Sequence, residues 1–328
     1  MTEEKYKKAG FLSQEQYDFP AIVNICVYKG ACPCECVHCP VGLTPREKRG
    51  SQFGQEEMRL ELFKKIVDEV AQHSGSAIRV HAVGEPLLWP SLKDALEYAK
   101  NRGVKSWIFT SAVTKDAALL DMLVKNCSII EVSVNSFDPE DYRKTKGIDQ
   151  FHMVKRNVRR MRDYKVTNNL GTRILASRVE SPNKEYDSAF IGNWLKTGLV
   201  DDSFIRAYHN YNNAISNKFD AKVVRASPCL VHWSRFNIDC SGDALLCFNE
   251  LFKGPKVNPE VVLGNVGLAS IAEVWHSGKI EKVRKAQLCG DYKIVDFAEK
   301  IPCEECFSCQ PLDSGKPTSE NQLKRLMS

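Results

Sequence analysis

Short apolar runs alternate with amphipathic stretches over the first two thirds of the chain. The runs are rich in valine, isoleucine and other residues that favour strands. The amphipathic stretches carry apolar residues at helical spacing, as at Leu62, Ile66 and Val70. The pattern predicts six strands, at residues 21–27, 77–83, 105–110, 128–134, 172–177 and 203–207.

Strands that alternate with helices form parallel βαβ units. Six such units predict an α/β fold built on a partial (β/α)6 barrel of the TIM type. In barrels of this kind the active site lies at the carboxyl ends of the strands. We therefore expect the chemistry in the loops that follow the predicted strands.

The barrel-like periodicity ends near Asn213. Beyond it, residues 236–239 and 244–247 predict a β-hairpin around the turn Ser241-Gly242. The sequence thus predicts three parts: a core of residues 1–213, a small α+β domain of residues 214–312, and a polar, frayed tail of residues 313–328.

Composition narrows the class of protein. The chain has 328 residues, of which 43% are hydrophobic, and this suffices for a large core and a smaller module. No apolar run could span a membrane and no signal peptide is recognisable, so we expect a cytoplasmic protein without a membrane partner. Thirteen cysteines in that reducing compartment favour metal ligation over disulfides. The net charge of +5 neither requires nor excludes nucleic acid.

Three cysteines follow the first predicted strand with the spacing C-x3-C-x2-C. They are Cys32, Cys36 and Cys39. Three thiolates on one short loop can hold three corners of a [4Fe–4S] cluster and leave the fourth iron open for a ligand. A zinc site is the alternative, since zinc also binds cysteine pairs.

A second group of cysteines lies in the C-terminal part. Cys229 and Cys247 flank the predicted hairpin, and Cys303 and Cys306 form a C-x2-C pair. Four thiolates can complete the shell of another [4Fe–4S] cluster, or of a zinc ribbon. Cys309 could replace Cys306, and Cys289 lies nearby, so the ligand set and the number of clusters stay open.

Together these motifs resemble the radical S-adenosylmethionine (SAM) enzymes that carry a C-terminal SPASM or twitch domain. The line Leu263-Gly264-Asn265, followed by Glu273-Val274-Trp275, is similar to a stretch typical of that domain. The resemblance implies that SAM binds the open iron and is reductively cleaved to a 5′-deoxyadenosyl radical. It also implies an auxiliary [4Fe–4S] cluster in the C-terminal domain.

The resemblance also implies a SAM pocket at the ends of the second, third and fourth strands. Gly84-Glu85-Pro86 resembles the family motif that reaches the SAM amino group, while Ser133 and Asn135 resemble the element that bonds the ribose or carboxylate. Each of these polar residues could instead cap the helix that follows. The implied SAM contacts are His38, Gly84, Glu85, Thr110, Ser111, Ser133 and Asn135.

Three further residues are candidates for the substrate side. Arg178 and Arg206 end the fifth and sixth strands, where a guanidinium would suit a carboxylate, phosphate or hydroxyl-rich partner. Arg178 could instead form a surface ion pair with Glu180. Cys34 lies between two predicted ligands; we expect it to point away from a shared cluster, unless it returns a hydrogen atom to a substrate radical.

We therefore expect an enzyme that abstracts a hydrogen atom and gives net oxidation, with the auxiliary cluster as electron acceptor. The alternative is an enzyme that epimerises or rearranges a sugar, peptide or nucleoside. A remote alternative is a non-catalytic zinc-ribbon protein that binds nucleic acid. The short segment before the first strand favours a small metabolite, or a residue on a folded or polymeric partner, over a leader-guided peptide. Because such clusters need a low-potential electron, a flavodoxin or ferredoxin is the expected donor.

Overall fold

The computed structural model describes residues 11, 13–216, 228–297, 301, 303, 306 and 319–327. It contains all six predicted strands, each within two residues of the predicted ends. Their bounds are β1 Ile22–Lys29, β2 Ala77–Val83, β3 Lys105–Thr110, β4 Ile129–Val132, β5 Arg173–Val179 and β6 Asp202–Arg206. Each of these strands is parallel to the next, so the predicted α/β core is confirmed.

Helices connect the strands, and capping side chains fix where several of them begin. Asp116, for example, accepts a hydrogen bond from the backbone N–H of Leu119 at 2.9 Å. Within the described residues, no helix is long and apolar enough to cross a membrane. The helices are Gln14–Asp18, Pro40–Leu43, Arg49–Phe53, Leu60–Val70, Leu92–Asn101, Ala117–Asn126, Pro139–Lys146, Phe151–Thr167, Lys184–Lys196, Val231–Ser234, Ile271–Trp275, Gly278–Cys289 and Ser319–Met327.

The predicted hairpin joins the same sheet as the six core strands. It consists of β7 Arg235–Ile238 and β8 Asp243–Leu245, and a further strand, β9 Val262–Asn265, follows. The strand order is β6-β5-β4-β3-β2-β1-β7-β8-β9, with β7 parallel to β1 and the last two pairings antiparallel. The second group of cysteines is thereby attached beside β1, the strand that leads into the first cysteine loop.

Strand residues alternate between two environments. On β1, Val23, Ile25 and Val27 belong to the main apolar core formed with the helices. The intervening Asn24 lines the interior cavity, and Arg79 on β2 is its neighbour in register. The outer face of the barrel is therefore a conventional apolar core, whereas part of its inner face is polar.

The C-terminal helix Ser319–Met327 corrects the prediction of a polar, frayed tail. Its Leu323 packs against Ile22 and Ala77, the first residues of β1 and β2. Its Glu320 pairs with Arg235, the first residue of β7. The helix therefore lies across the amino ends of the strands. The sequence did not predict it, because it has few apolar positions and polar residues fill the rest of its buried face.

Candidate active site

One cavity of about 710 Å³ runs through the inside of the barrel. It extends from the loops at the carboxyl ends of the strands down to Ser319, the first residue of the C-terminal helix. Its size is typical of sites for small molecules and cofactors. Its lining includes every cysteine predicted as a cluster ligand: Cys32, Cys36, Cys39, Cys229, Cys247, Cys303 and Cys306.

The first cysteine loop is tied to the end of β2 and to a buried arginine. The backbone N–H of Glu85 donates to the carbonyl of Ala31 at 2.9 Å, and Arg49 Nη1 donates to the carbonyl of Cys32 at 2.7 Å. Gly84 has φ +143°, and a Cβ there would overlap the Ala31 carbonyl. The contact therefore requires a glycine at this position.

The thiols of this loop lie around a buried lysine that sequence reasoning missed. Burial raises the pKa of the Cys39 thiol to about 11, so a bound cation is needed to hold it as a thiolate. Lys146 Nζ donates to the carbonyl of Ser133 at 2.7 Å, and its positive charge acts on Cys36 and Cys34. Burial opposes this charge, but the neighbouring cysteines raise the pKa of Lys146 above its ordinary value.

We expected from the sequence that Cys34 would point away from a shared cluster, but its side chain lies with the other cysteines. It lies in the cavity lining and is hydrogen bonded through its side chain to Cys32 and Cys36. The bond to Cys32 is the main reason that the pKa of Cys34 rises to about 12. A thiol in this protonated form has a hydrogen available at the cavity wall.

The carboxylate of Glu85 gathers the polar residues after β2 and β3 into one network. Thr110 Oγ1 donates to it at 2.6 Å, and the backbone N–H of Ser111 donates at 2.8 Å. The hydroxyl of Ser111 and the N–H of Leu87 donate to it as well. Glu85, Thr110 and Ser111, three of the seven predicted SAM contacts, line the cavity, but the carboxylate is already bonded within the protein.

The structure separates the two residues predicted at the end of β4. Ser133 lines the cavity, whereas Asn135 does not. The Asn135 side chain donates to Ser133 Oγ at 2.8 Å and accepts from the backbone N–H of Val179 at 2.7 Å. Asn135 therefore joins the ends of β4 and β5, and the expectation that it contacts SAM directly is not supported by its position.

Arg178 is also outside the cavity lining, so its position does not support the prediction that it faces the substrate. Its side chain is buried and pairs with Asp187 at 2.9 Å and with Asp141 at 3.0 Å. The alternative pairing with Glu180 is wrong, because Glu180 pairs with Lys184. Arg178 is therefore directed toward the helices that follow β4 and β5, where Asp141 on the first and Asp187 on the second balance its charge.

Arg206 does line the cavity, together with His38 and His209. Its guanidinium forms a two-point ion pair with Glu131, which is fully buried on β4. Burial alone would raise the pKa of Glu131, but Arg206 holds it below its ordinary value. Arg206 therefore presents an already paired guanidinium to the cavity.

The loop after β6 connects the two cysteine groups. Tyr211, Asn212 and Asn213 have φ of +53°, +54° and +67°, a left-handed conformation that costs energy in residues other than glycine. Asn212 Nδ2 donates to Glu250 Oε1, beyond the hairpin, at 2.6 Å. Tyr211 is hydrogen bonded through its side chain to Cys39. Strained backbone of this kind is concentrated at functional sites.

The second cysteine group is connected by a short polar chain. Gln287 Oε1 accepts from the backbone N–H of Cys229 at 3.2 Å, and Gln287 Nε2 lies 2.8 Å from His232 Nδ1. The other nitrogen of His232 lies 3.8 Å from the sulfur of Cys303. Burial raises the pKa of the Cys247 thiol above its ordinary value. The chain orients two of the four predicted ligands.

Of the two alternative ligands in this region, only Cys289 lies among the described residues. Cys289 is exposed at the end of the helix Gly278–Cys289 and does not line the cavity. Cys309 lies outside the described residues, so its predicted alternative role stays a prediction. Among the residues that are described, no three His, Cys, Asp or Glu side chains converge closely enough to hold a single metal ion.

Two known sequence families match this chain. The family described as "Radical SAM superfamily" matches residues 26–185, which include the first cysteine loop and the ends of β2 to β5. The family SPASM, described as "Iron-sulfur cluster-binding domain", matches residues 229–310, which include the second cysteine group. A search of curated proteins gives no match.

Several solved structures share this fold at low identity. SuiB of Streptococcus suis bound to precursor peptide SuiA is 14% identical, with a TM-score of 0.64 over 92% of this chain and 72% of that one. AnSMEcpe with bound AdoMet is 13% identical, with a TM-score of 0.63 over 94% and 96%. BtrN in complex with AdoMet and 2-DOIA is 15% identical, with a TM-score of 0.53 over 88% and 92%.

Proposed function

Because the chain belongs to the radical SAM superfamily and carries a C-terminal SPASM iron–sulfur domain, we propose that it oxidises a substrate C–H bond by two electrons. Its cofactors are SAM, the [4Fe–4S] cluster of the superfamily and the auxiliary iron–sulfur clusters of the SPASM domain. The zinc sites that the cysteine spacing also allows are not supported, because both cysteine groups fall in regions that match iron–sulfur families.

We propose Cys32, Cys36 and Cys39 as ligands of the first cluster, and Cys229, Cys247, Cys303 and Cys306 as ligands of one auxiliary cluster. When bound, SAM and the first cluster supply a 5′-deoxyadenosyl radical that takes a hydrogen atom from the substrate. An auxiliary cluster held by the second cysteine group would accept one further electron, and release of one proton to solvent would complete the two-electron oxidation.

One observation carries this proposal: both cysteine groups line the same cavity. A substrate inside it would have the first cysteine loop and the second cysteine group in the walls around it. Electron transfer to a second cluster needs such proximity, whereas a hydrogen atom transfer alone does not. The loop after β6, which contacts both sides, supports the same arrangement.

The residues of the cavity suit one region for SAM and another for the substrate. Glu85, Thr110 and Ser111 form a fixed polar wall beside the first cysteine loop, on which we propose that SAM is oriented. Farther from that loop, His81 lies between the rings of Phe109 and Phe248. Burial, together with nearby arginines, lowers the pKa of His81, so it is neutral at physiological pH. We propose that the substrate lies against these rings.

A second candidate function is epimerisation or rearrangement, and the position of Cys34 favours it. Its protonated thiol lines the cavity next to the first cysteine loop. A substrate radical could take a hydrogen atom from this thiol instead of losing an electron. The thiyl radical left on Cys34 would then need one electron from the external reductant and one proton from solvent. The overall redox state of the substrate would then be unchanged.

Stoichiometry separates the two functions. Anaerobic enzyme is incubated with SAM, a reductant and a panel of sugars, cyclitols, nucleosides and peptides, and 5′-deoxyadenosine is quantified with the product. Oxidation predicts one 5′-deoxyadenosine per product and no solvent deuterium in the product. It also predicts that Cys34→Ser keeps product formation, whereas Cys303→Ala/Cys306→Ala abolishes it but still cleaves SAM. Solvent deuterium at the reacting carbon, lost in Cys34→Ser, would instead establish the isomerase.

We also propose a flavodoxin or ferredoxin as the electron donor, because clusters of this class need a low-potential electron. The proposal predicts that a reduced flavodoxin replaces the chemical reductant in the same assay. Failure of both protein donors while the chemical reductant works would contradict it.

A further inference from the structure

The floor of the cavity is a layer of charged side chains inside the barrel. Arg79 on β2, Glu131 on β4, Arg206 on β6 and Arg235 on β7 meet there, and Glu320 reaches them from the C-terminal helix. Three of them, Arg79, Arg206 and Arg235, line the cavity. On β2, Arg79 lies two residues before His81, toward the amino end of the strand.

Among the described residues, the positive charges of this layer exceed the negative ones. Arg206 forms a two-point pair with Glu131, and Arg235 forms a two-point pair with Glu320 at 2.7 and 2.9 Å. Each carboxylate is thus used by one arginine. Three guanidinium groups face two carboxylates, which leaves one positive charge without a dedicated partner.

That charge belongs to Arg79. The residue is 8% exposed, and the hydrogen bond that it makes within the described residues runs from Nη1 to the hydroxyl of Ser319 at 2.7 Å. Its Nε is buried and has no hydrogen-bond partner in the described part of the chain. Its guanidinium stacks over the ring of Trp107, 5.2 Å from the ring centre, which fixes its orientation.

A buried guanidinium without a counter-charge is unfavourable. Removing an ion from water costs several kcal/mol unless another charge and hydrogen bonds replace the water. Burial, with Arg206 and Arg235 nearby, accordingly lowers the pKa of Arg79 far below its ordinary value. The neutral His81 above it supplies no negative charge. The missing partner is best supplied from the cavity itself.

We propose that the cavity floor binds an anionic group of the substrate, a carboxylate or a phosphate, with Arg79 as its counter-charge. The assignment of this anion to the substrate rests on the proposed function. Arg79 offers Nε and its second Nη as donors, a geometry that matches two oxygens of either anion. The reacting carbon would then lie at the opposite end of the molecule, toward the first cysteine loop.

Calorimetric titration with sodium phosphate and with sodium acetate tests the site without any turnover. The full-length holoenzyme is titrated anaerobically at constant ionic strength, with SAM at saturation so that its own pocket is filled. We expect a dissociation constant on the order of 1 mM for at least one anion, and binding at least about tenfold weaker in Arg79→Gln. Arg79→Lys, which keeps the charge, should bind better than Arg79→Gln.

The matched control is Arg160→Gln, which removes an exposed arginine that pairs with Asp121. It should bind both anions as the wild type does. Iron content and circular dichroism show whether each variant folds. If Arg79→Gln does not fold, Ser319→Ala removes the hydroxyl that accepts a hydrogen bond from Arg79 and should weaken anion binding. Equal affinity in Arg79→Gln and wild type, or no binding of either anion to wild type, would overturn the proposal. Because no reaction is measured, these outcomes are independent of the oxidase assay.

Discussion

At the scale of single residues, Lys146 shows most clearly how a buried charge can act on the first cysteine loop. Its ammonium group is buried among the thiols of the first cysteine loop and is anchored on the carbonyl of Ser133. An ammonium that remains charged there stabilises negative charge on its neighbours. A cluster held by these cysteines is more negative when reduced, so Lys146 should favour the reduced form.

Lys146→Met should therefore make the reduction potential of the first cluster more negative, by on the order of 50 mV. The shift is read from the electron paramagnetic resonance signal in a redox titration without SAM. Lys144→Met is the control, since Lys144 lies on the same helix but is exposed and pairs with Glu140. An unchanged or more positive potential in Lys146→Met would contradict this role.

Glu85 makes a second prediction at this scale. Glu85→Gln replaces one accepting oxygen with an NH2 group, which cannot accept from Thr110 or from Ser111. We expect a loss of about 1–3 kcal/mol in the free energy of unfolding and weaker SAM binding. Urea unfolding and SAM titration measure the two effects. Glu61→Gln, at an exposed pair with Lys64, should change neither quantity appreciably.

At the scale of elements, the end of β2 fixes the first cysteine loop. Gly84→Ala would push a methyl group into the Ala31 carbonyl, and the backbone conformation at φ +143° disfavours it further. Gly103→Ala is a matched control, since φ there is +72° but nothing lies within 4 Å of the added carbon. Gly84→Ala should destabilise by more than the roughly 1 kcal/mol expected of Gly103→Ala, and should lower iron content. Equal unfolding free energies would contradict the contact.

The C-terminal helix is the second element with a testable role. Glu320→Gln leaves the buried Arg235 without a charged partner, which should lower the free energy of unfolding by about 3 kcal/mol. Guanidinium unfolding followed by tryptophan fluorescence measures the loss. Glu140→Gln removes an exposed pair and should have little effect. A variant as stable as wild type would mean that the helix is dispensable for the barrel floor.

At the scale of the whole molecule, the sequence predicted what depends on pattern along the chain. The six strands, the hairpin and the two cysteine groups follow from alternation, turn residues and spacing. What it did not predict depends on neighbours in space. Asn135 follows β4 and Arg178 lies near the end of β5, close to where the sequence placed them, but their partners come from other elements. The sequence contains one weak indication that Lys146 is buried: it lies four residues after the buried Tyr142 and so shares a helix face with it.

The central claim is that two groups of cysteines hold separate iron–sulfur clusters against one cavity. Mössbauer spectroscopy with iron and sulfide analysis tests it most directly, on anaerobic wild type and on two variants, Cys32→Ala/Cys36→Ala/Cys39→Ala and Cys229→Ala/Cys247→Ala/Cys303→Ala/Cys306→Ala. We predict [4Fe–4S] spectra in all three proteins, about half the iron in each variant, and a change on adding SAM only where the first group is intact. Zinc without sulfide in the wild type, or full iron content in either variant, would contradict the account.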